Sequence, residues 1–197
     1  MLEGGVSLAY GNEFSIFNKE NQFEIFSFEI ANNLRIKENE DLPSNSQIDQ
    51  TISSIFNEIS YRPNEMMKIK YNSSIKNNLS DVNYENLITE FKIGNLVTSF
   101  DYLNHNNSLD RNSYLENTTQ WSLDESNILS FSTRENKTIN LTEYYNLAYQ
   151  YKNDCLSASI EYDKEFYADR DIRPNESIFF KLTIIPFGQT SSPNFRD

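Results

Sequence analysis

The chain has 197 residues, with 17 Lys and Arg against 29 Asp and Glu, a formal net charge of -12, and 38% hydrophobic residues. A field of that sign repels a polyanion, which argues against nucleic acid as a partner, and the absence of any run of about 18 apolar residues excludes a transmembrane helix. The 14 Phe, 12 Tyr and one Trp supply more large apolar area than a disordered polyampholyte carries, and the length allows one domain or a piece of one.

Met1 to Gly5 leads directly into an alternating segment with no basic start or apolar stretch, as expected of a cytosolic chain or of a segment from inside a longer one. From there the hydrophobic period is two rather than 3.6, which predicts strands. In chain order they are residues 3–11, 22–36, 50–61, 66–76, 83–93, 95–103, 113–123, 127–134, 139–151, 155–165 and 176–187. The alternation is clearest at Leu156, Ala158, Ile160 and Tyr162, at Leu141, Tyr145, Leu147, Tyr149 and Tyr151, and at Ile178, Phe180, Leu182 and Ile184. Two segments fit less cleanly: Ile48, Ile52, Ile55, Phe56 and Ile59 also match helical spacing, and Phe23 to Phe28 is apolar on both sides. Both are taken as strands because the surrounding chain is β throughout.

The predicted links alternate in length. Arg62–Glu65, Gly94, Asp124–Ser126 and Lys152–Asp154 are short turns, while 77–82, 104–112, 135–138 and 166–175 are longer and polar. Strands of about ten residues joined in this way suit an up-and-down transmembrane β-barrel, with Tyr61, Tyr149, Tyr151 and Tyr162 in interfacial girdles. A soluble antiparallel sandwich also alternates apolar and polar residues. Strand length and loop asymmetry favour the barrel, and an odd strand count suits a fragment, so the expected fold is all-β, an open or partial barrel of about eleven strands.

No catalytic constellation is apparent. The one His, His105, lies in the polar stretch Asn104–Asn107, read as a loop, and one His with one Cys cannot build a His/Cys metal site. Asp163, Asp169 and Asp171 lack EF-hand spacing and are interleaved with Lys164, Arg170 and Arg173, as in a charge-balanced loop. The glycines open no phosphate-binding helix. The chain is therefore expected to be non-enzymatic, without metal or cofactor.

The carboxyl-terminal third is more specific. The run Tyr149 to Tyr162 (YQYKNDCLSASIEY), then Phe166 to Pro174 (FYADRDIRP), then Ser177 to Phe180 and Phe187-Gly188, resembles the end of the LptD (OstA) family of outer-membrane lipopolysaccharide-assembly proteins, alphaproteobacterial members most of all. The likeness is strong over about residues 139–188 and holds only as pattern between about 12 and 138. It implies that residues 1–187 are the carboxyl-terminal portion of a β-barrel domain and 188–197 a short polar tail. It also implies location in the outer membrane, passage of lipopolysaccharide into the outer leaflet, an LptE-like lipoprotein in the lumen, and a periplasmic Lpt bridge reached through an amino-terminal domain. Ser177 to Phe187 would be the last strand, one wall of a lateral gate, with Ile178, Phe180, Leu182 and Ile184 toward outer-membrane lipid. Cys155 would form a disulfide to the periplasmic domain. In the same register Glu90, Asp101, Glu116, Glu161, Asp163 and Lys181, with Lys68, Lys70 and Lys92, would face the lumen. Runner-up readings are another porin-like barrel and a secreted carbohydrate-binding sandwich.

Overall fold

Period-two alternation lets a strand gather its large side chains on one side of a sheet, and this chain does so repeatedly. The structure, a computed structural model, describes residues 6–20, 22–37, 51–106, 111–169, 171–184, 188–191 and 195–196. No helix occurs among them. The long strands are β1 (Val6–Phe17), β2 (Glu24–Lys37), β3 (Ile55–Asn64), β4 (Met67–Ile75), β5 (Val82–Ile93), β6 (Leu96–Asn106), β7 (Arg111–Ser122), β8 (Asn127–Asn136), β9 (Leu141–Lys152), β10 (Leu156–Glu165) and β11 (Asn175–Ile184). Two short ones follow, β12 (Gly188–Ser191) and β13 (Phe195–Arg196). They are hydrogen-bonded in chain order from β1 to β12, with β13 also on β11. The expected eleven up-and-down antiparallel strands are thus present in one sheet order, and among the described residues β1 is paired only with β2. The predicted strand residues 3–5, 50 and 185–187, and Ile48, lie outside the described residues.

The chain divides into two compact units, Met1–Ile88 with Leu103–Arg111, and Thr89–Tyr102 with Asn112–Asp197. In the first, the register places Phe14 opposite Phe28 and Ile16 opposite Phe26. Phe28 and Phe26 then face Ile59 and Tyr61, which face Tyr71 and Ile69. The reverse side carries Glu13, Glu29, Glu58 and Asn72. The most enclosed groups of this unit are polar. Ser53 accepts from the Asn33 amide at 2.9 Å and donates to the Ser54 carbonyl at 2.9 Å, and Asn83 donates to the Ser54 hydroxyl at 3.1 Å.

Several sequence expectations shift here. β1 runs on to Phe17, because Phe14 and Ile16 continue the alternation beyond Gly11 and Asn12. Ile52 makes only an isolated bridge to Leu34, so β3 begins at Ile55. Arg62 and Pro63 belong to β3 rather than to a turn, which falls at Glu65-Met66. The register slips between Tyr61 and Asn64, a bulge that suits Pro63 because proline has no N–H to give to the ladder. His105 is a strand residue, not a loop residue, with its ring 5.1 Å from that of Tyr84.

In the second unit, one row of side chains crosses five strands: Trp121, Leu129, Tyr149, Ile160 and Phe180 are successive register partners. The next row reads Thr119, Phe131, Leu147, Tyr162 and Ile178. The β9 strand starts at Leu141, because Asn140 adopts a left-handed φ of 51°. An extra residue in β9, Glu143, shifts the register between Arg134 and Glu135. That bulge places Leu141 opposite Asn136, away from the row of Tyr145 to Tyr151 that the alternation assigned it to. The link read as 104–112 contracts, since β6 reaches Asn106 and β7 starts at Arg111. Lys137–Asn140 is as short as Leu123–Ser126, so loop asymmetry is weaker than the sequence suggested.

The β7–β8 turn is built on Asp124. Its carboxylate accepts from the Ser126 and Asn127 amides, both at 2.8 Å, and from the Asn127 side chain. The Ser126 amide, then the Asn127 side chain, holds the carboxyl below its ordinary value. A depressed folded value means the stabilising contribution is complete above the unfolded pKa and is lost as pH falls through the folded one. The Asp124 carboxyl is expected to titrate below the ordinary aspartate value by NMR, with Asp124→Asn removing that acid-range dependence while keeping the hairpin. Titration at the ordinary carboxylate value would contradict this.

Candidate functional site

Two surfaces of the second unit carry the functional expectations: the apolar side of β7 to β11 and the side opposite. The apolar rows are uncovered. Among the described residues no hydrophobic side chain is buried, and Trp121 (49%), Ile160 (50%) and Phe180 (49%) keep about half their surface free. A water-soluble sheet ordinarily hides such a face against another layer. Its two ends differ. At the turn end, Tyr149 donates to the Asn127 side chain and Asn153 donates to the Tyr151 hydroxyl at 3.1 Å. At the loop end, Phe166 packs edge-on against Tyr145, centroids 5.7 Å apart. Lys164 sits 5.5 Å over the Phe166 ring and pairs with Glu176. The apolar stripe thus carries rings with polar partners at both of its ends.

β11 supplies the last row. Ile178, Phe180, Leu182 and Ile184 lie opposite Tyr162, Ile160, Ala158 and Leu156 of β10. The strand ends at Ile184 within the described residues, and its other edge is partly occupied: β12 pairs with Lys181–Ile184, and β13 with Ser177 and Ile178.

The opposite side is polar and holds most of the predicted charged residues. Glu116 faces Arg134 across β7 and β8. The Arg134 guanidinium binds Glu143 through Nε at 2.5 Å. It lies 5.4 Å from the ring centroids of both Tyr114 and Tyr144. A planar cation bracketed by two rings and a carboxylate is a task for arginine rather than lysine. Asn146 bridges Glu161 and Asp163, donating to both carboxylates. Lys181 and Glu161 border one cavity of about 500 Å³ with Lys152, Gln150, Ser157 and Ser159. Glu90 and Asp101 lie in β5 and β6, apart from that cavity. The sequence reading missed Arg134, Tyr114, Tyr144 and Asn146. The break in alternation at Glu143-Tyr144 was the available signal for the first three.

Cys155 is an exposed free thiol in the β9–β10 turn. The Asn153 side chain accepts from the Cys155 and Leu156 amides at 2.9 and 2.8 Å, fixing the turn from which the thiol projects. No group of three or more His, Cys, Asp or Glu side chains arranged for a metal occurs among the described residues.

Comparison of the chain with models of known protein families finds no match, and comparison with curated proteins finds none.

Proposed function

We propose that this chain is part of an outer-membrane translocon that inserts lipopolysaccharide into the outer leaflet, of the LptD type, with β11 as one wall of its lateral gate. The observation that supports the membrane part is the exposed apolar row Trp121–Leu129–Tyr149–Ile160–Phe180 of the β7–β11 meander, with no buried hydrophobic side chain among the described residues. Acyl chains cover such a row without a second protein layer, and the backbone groups are satisfied between strands, as a lipid environment requires. A carbohydrate-binding sandwich would need a second sheet over the same row. The lipopolysaccharide part rests on the resemblance of residues 139–188. In this reading Glu116, Glu161, Asp163 and Lys181, with Glu90 and Asp101, face the lumen, where an LptE-like lipoprotein would be neighbour, and the periplasmic Lpt bridge delivers the lipid through an amino-terminal domain. The protein moves its substrate without bond chemistry.

The test is depletion of the full-length protein in the native bacterium. Arrest of newly made lipopolysaccharide before the cell surface is the expected result. Normal lipopolysaccharide arrival with reduced small-solute uptake would replace this reading by a porin-like barrel.

Cys155 gives a second, independent check. In this topology the β9–β10 turn is periplasmic, an oxidising compartment. Cys155→Ser in the full-length protein is expected to slow assembly and to change the mobility of the mature protein on nonreducing gels; unchanged mobility would rule out the disulfide.

A further inference from the structure

The edge of β11 that faces away from β10 is the place where a sheet of this kind would receive another strand, and the chain's own residues occupy it. β12 pairs antiparallel with it, Lys181 to Ser191, Leu182 to Thr190, Thr183 to Gln189 and Ile184 to Gly188. We propose that Gly188–Ser191 is a displaceable cap on the β11 edge, holding the site of an incoming antiparallel strand until that strand replaces it; this rests on the reading of β11 as the last strand of a barrel.

Three features support displacement rather than permanent closure. First, orientation: with an even number of strands, the strand that closes a barrel onto its last one runs antiparallel to it, which is the direction β12 takes. Cap and closing strand therefore need the same backbone N–H and C=O groups of β11. Second, extent: β12 covers only Lys181–Ile184, whereas β10 pairs along the whole of Asn175–Ile184. A full-length strand matching the β10 pairing outcompetes so short a partner. Third, composition: the residues opposite Leu182 and Ile184 are Thr190 and Gly188, neither of which extends the apolar row. A Gly-Gln-Thr-Ser strand whose outer edge pairs with no strand among the described residues is tolerable in water and unfavourable in hydrocarbon, where each unsatisfied backbone group costs free energy. The cap thus suits the stage before insertion, when a bare β11 edge would template pairing between copies, and it loses its advantage on entering lipid.

The test uses the whole 197-residue chain carrying Cys155→Ser, refolded by dilution into detergent-free buffer, the water-exposed stage at which the cap is expected. Cysteine pairs are placed at Leu182 and Thr190, and separately at Thr183 and Gln189, because only one of the two neighbouring pairs is the close, non-hydrogen-bonded kind suited to a disulfide. A control pair joins Ala158 and Leu182 across β10 and β11, with Ser157 and Thr183 as its alternate. One β11–β12 pair is expected to oxidise within the chain about tenfold more than cysteines at Leu182 and Gln189, which are offset in register. Stopping the chain after Phe187 is expected to raise the share of dimers several-fold. Oxidation of a control pair but of neither cap pair overturns the cap and leaves the barrel reading standing. Failure of both control pairs as well overturns the sheet on which both depend. A truncated chain that stays as monomeric as the whole one removes the capping role.

Discussion

Replacing Ile160 by lysine should destabilise the membrane-inserted protein by about 2–4 kcal/mol, the cost of a cation on the lipid side of a barrel near mid-depth. Ile160 lies midway along β10 in the apolar row, between Tyr149 and Phe180, and half its surface is exposed. In water that surface would make it a permissive site. The control is Ala148→Lys, one strand away on the opposite side, where the register places Glu161 beside it. Surface changes of that kind stay within about 0.5 kcal/mol. Equilibrium unfolding in lipid vesicles measures both. A large loss for Ile160→Lys with near-neutrality for Ala148→Lys identifies which side meets lipid; equal tolerance, or the reverse order, contradicts the assignment.

Gly11→Val should cost about 1–3 kcal/mol, the usual range for forcing atoms into a filled space. A Cβ added at Gly11 would stand 2.6 Å from the Ile30 carbonyl oxygen and 3.3 Å from the Ala31 Cα and Cβ. The nearest atom is backbone, which cannot swing aside as a side chain does, so β1 and β2 must part locally around Gly11 and Ala31. Amide exchange of β1 reads the effect directly. Faster exchange in Asn12 to Phe17 with β9 and β10 unchanged is the expected pattern, and unaltered β1 protection would mean the close approach is relieved at no cost.

How much could be read from the residues depended on which physical signal they carried. The alternation of Leu156 to Tyr162 and of Ile178 to Ile184 gave both the strands and the apolar side they share, because a period of two leaves no other regular arrangement. Strand ends were less legible. Asn104, His105 and Asn106 read as a loop by composition, yet they extend β6, since a polar residue on the polar side of a sheet looks the same as one in a link. Bulges were the real blind spot. Pro63 and Glu143 each add one residue to a strand, and one added residue reverses the facing of everything beyond it, as happened to Leu141. The charged set behaved likewise. Glu116, Glu161 and Asp163 were assignable by parity, but the groups that organise them, Arg134 and Asn146, reach across strands, and such pairings depend on a register that a single strand's pattern does not contain. The resemblance of residues 139–188 supplied the functional reading, which the alternation by itself left open between barrel and sandwich.

In the proposed reading the row Trp121–Leu129–Tyr149–Ile160–Phe180 meets lipid, and the chain carries its own probe, since Trp121 is its single tryptophan and belongs to that row. The protein reconstituted into vesicles of lipids brominated along their acyl chains should show strong quenching of Trp121 fluorescence. Bromines near the glycerol backbone should quench most, because Trp121 lies next to the turn end of β7. Aqueous iodide should have little effect. Full iodide quenching with none from brominated chains would place this face in water and contradict the membrane reading.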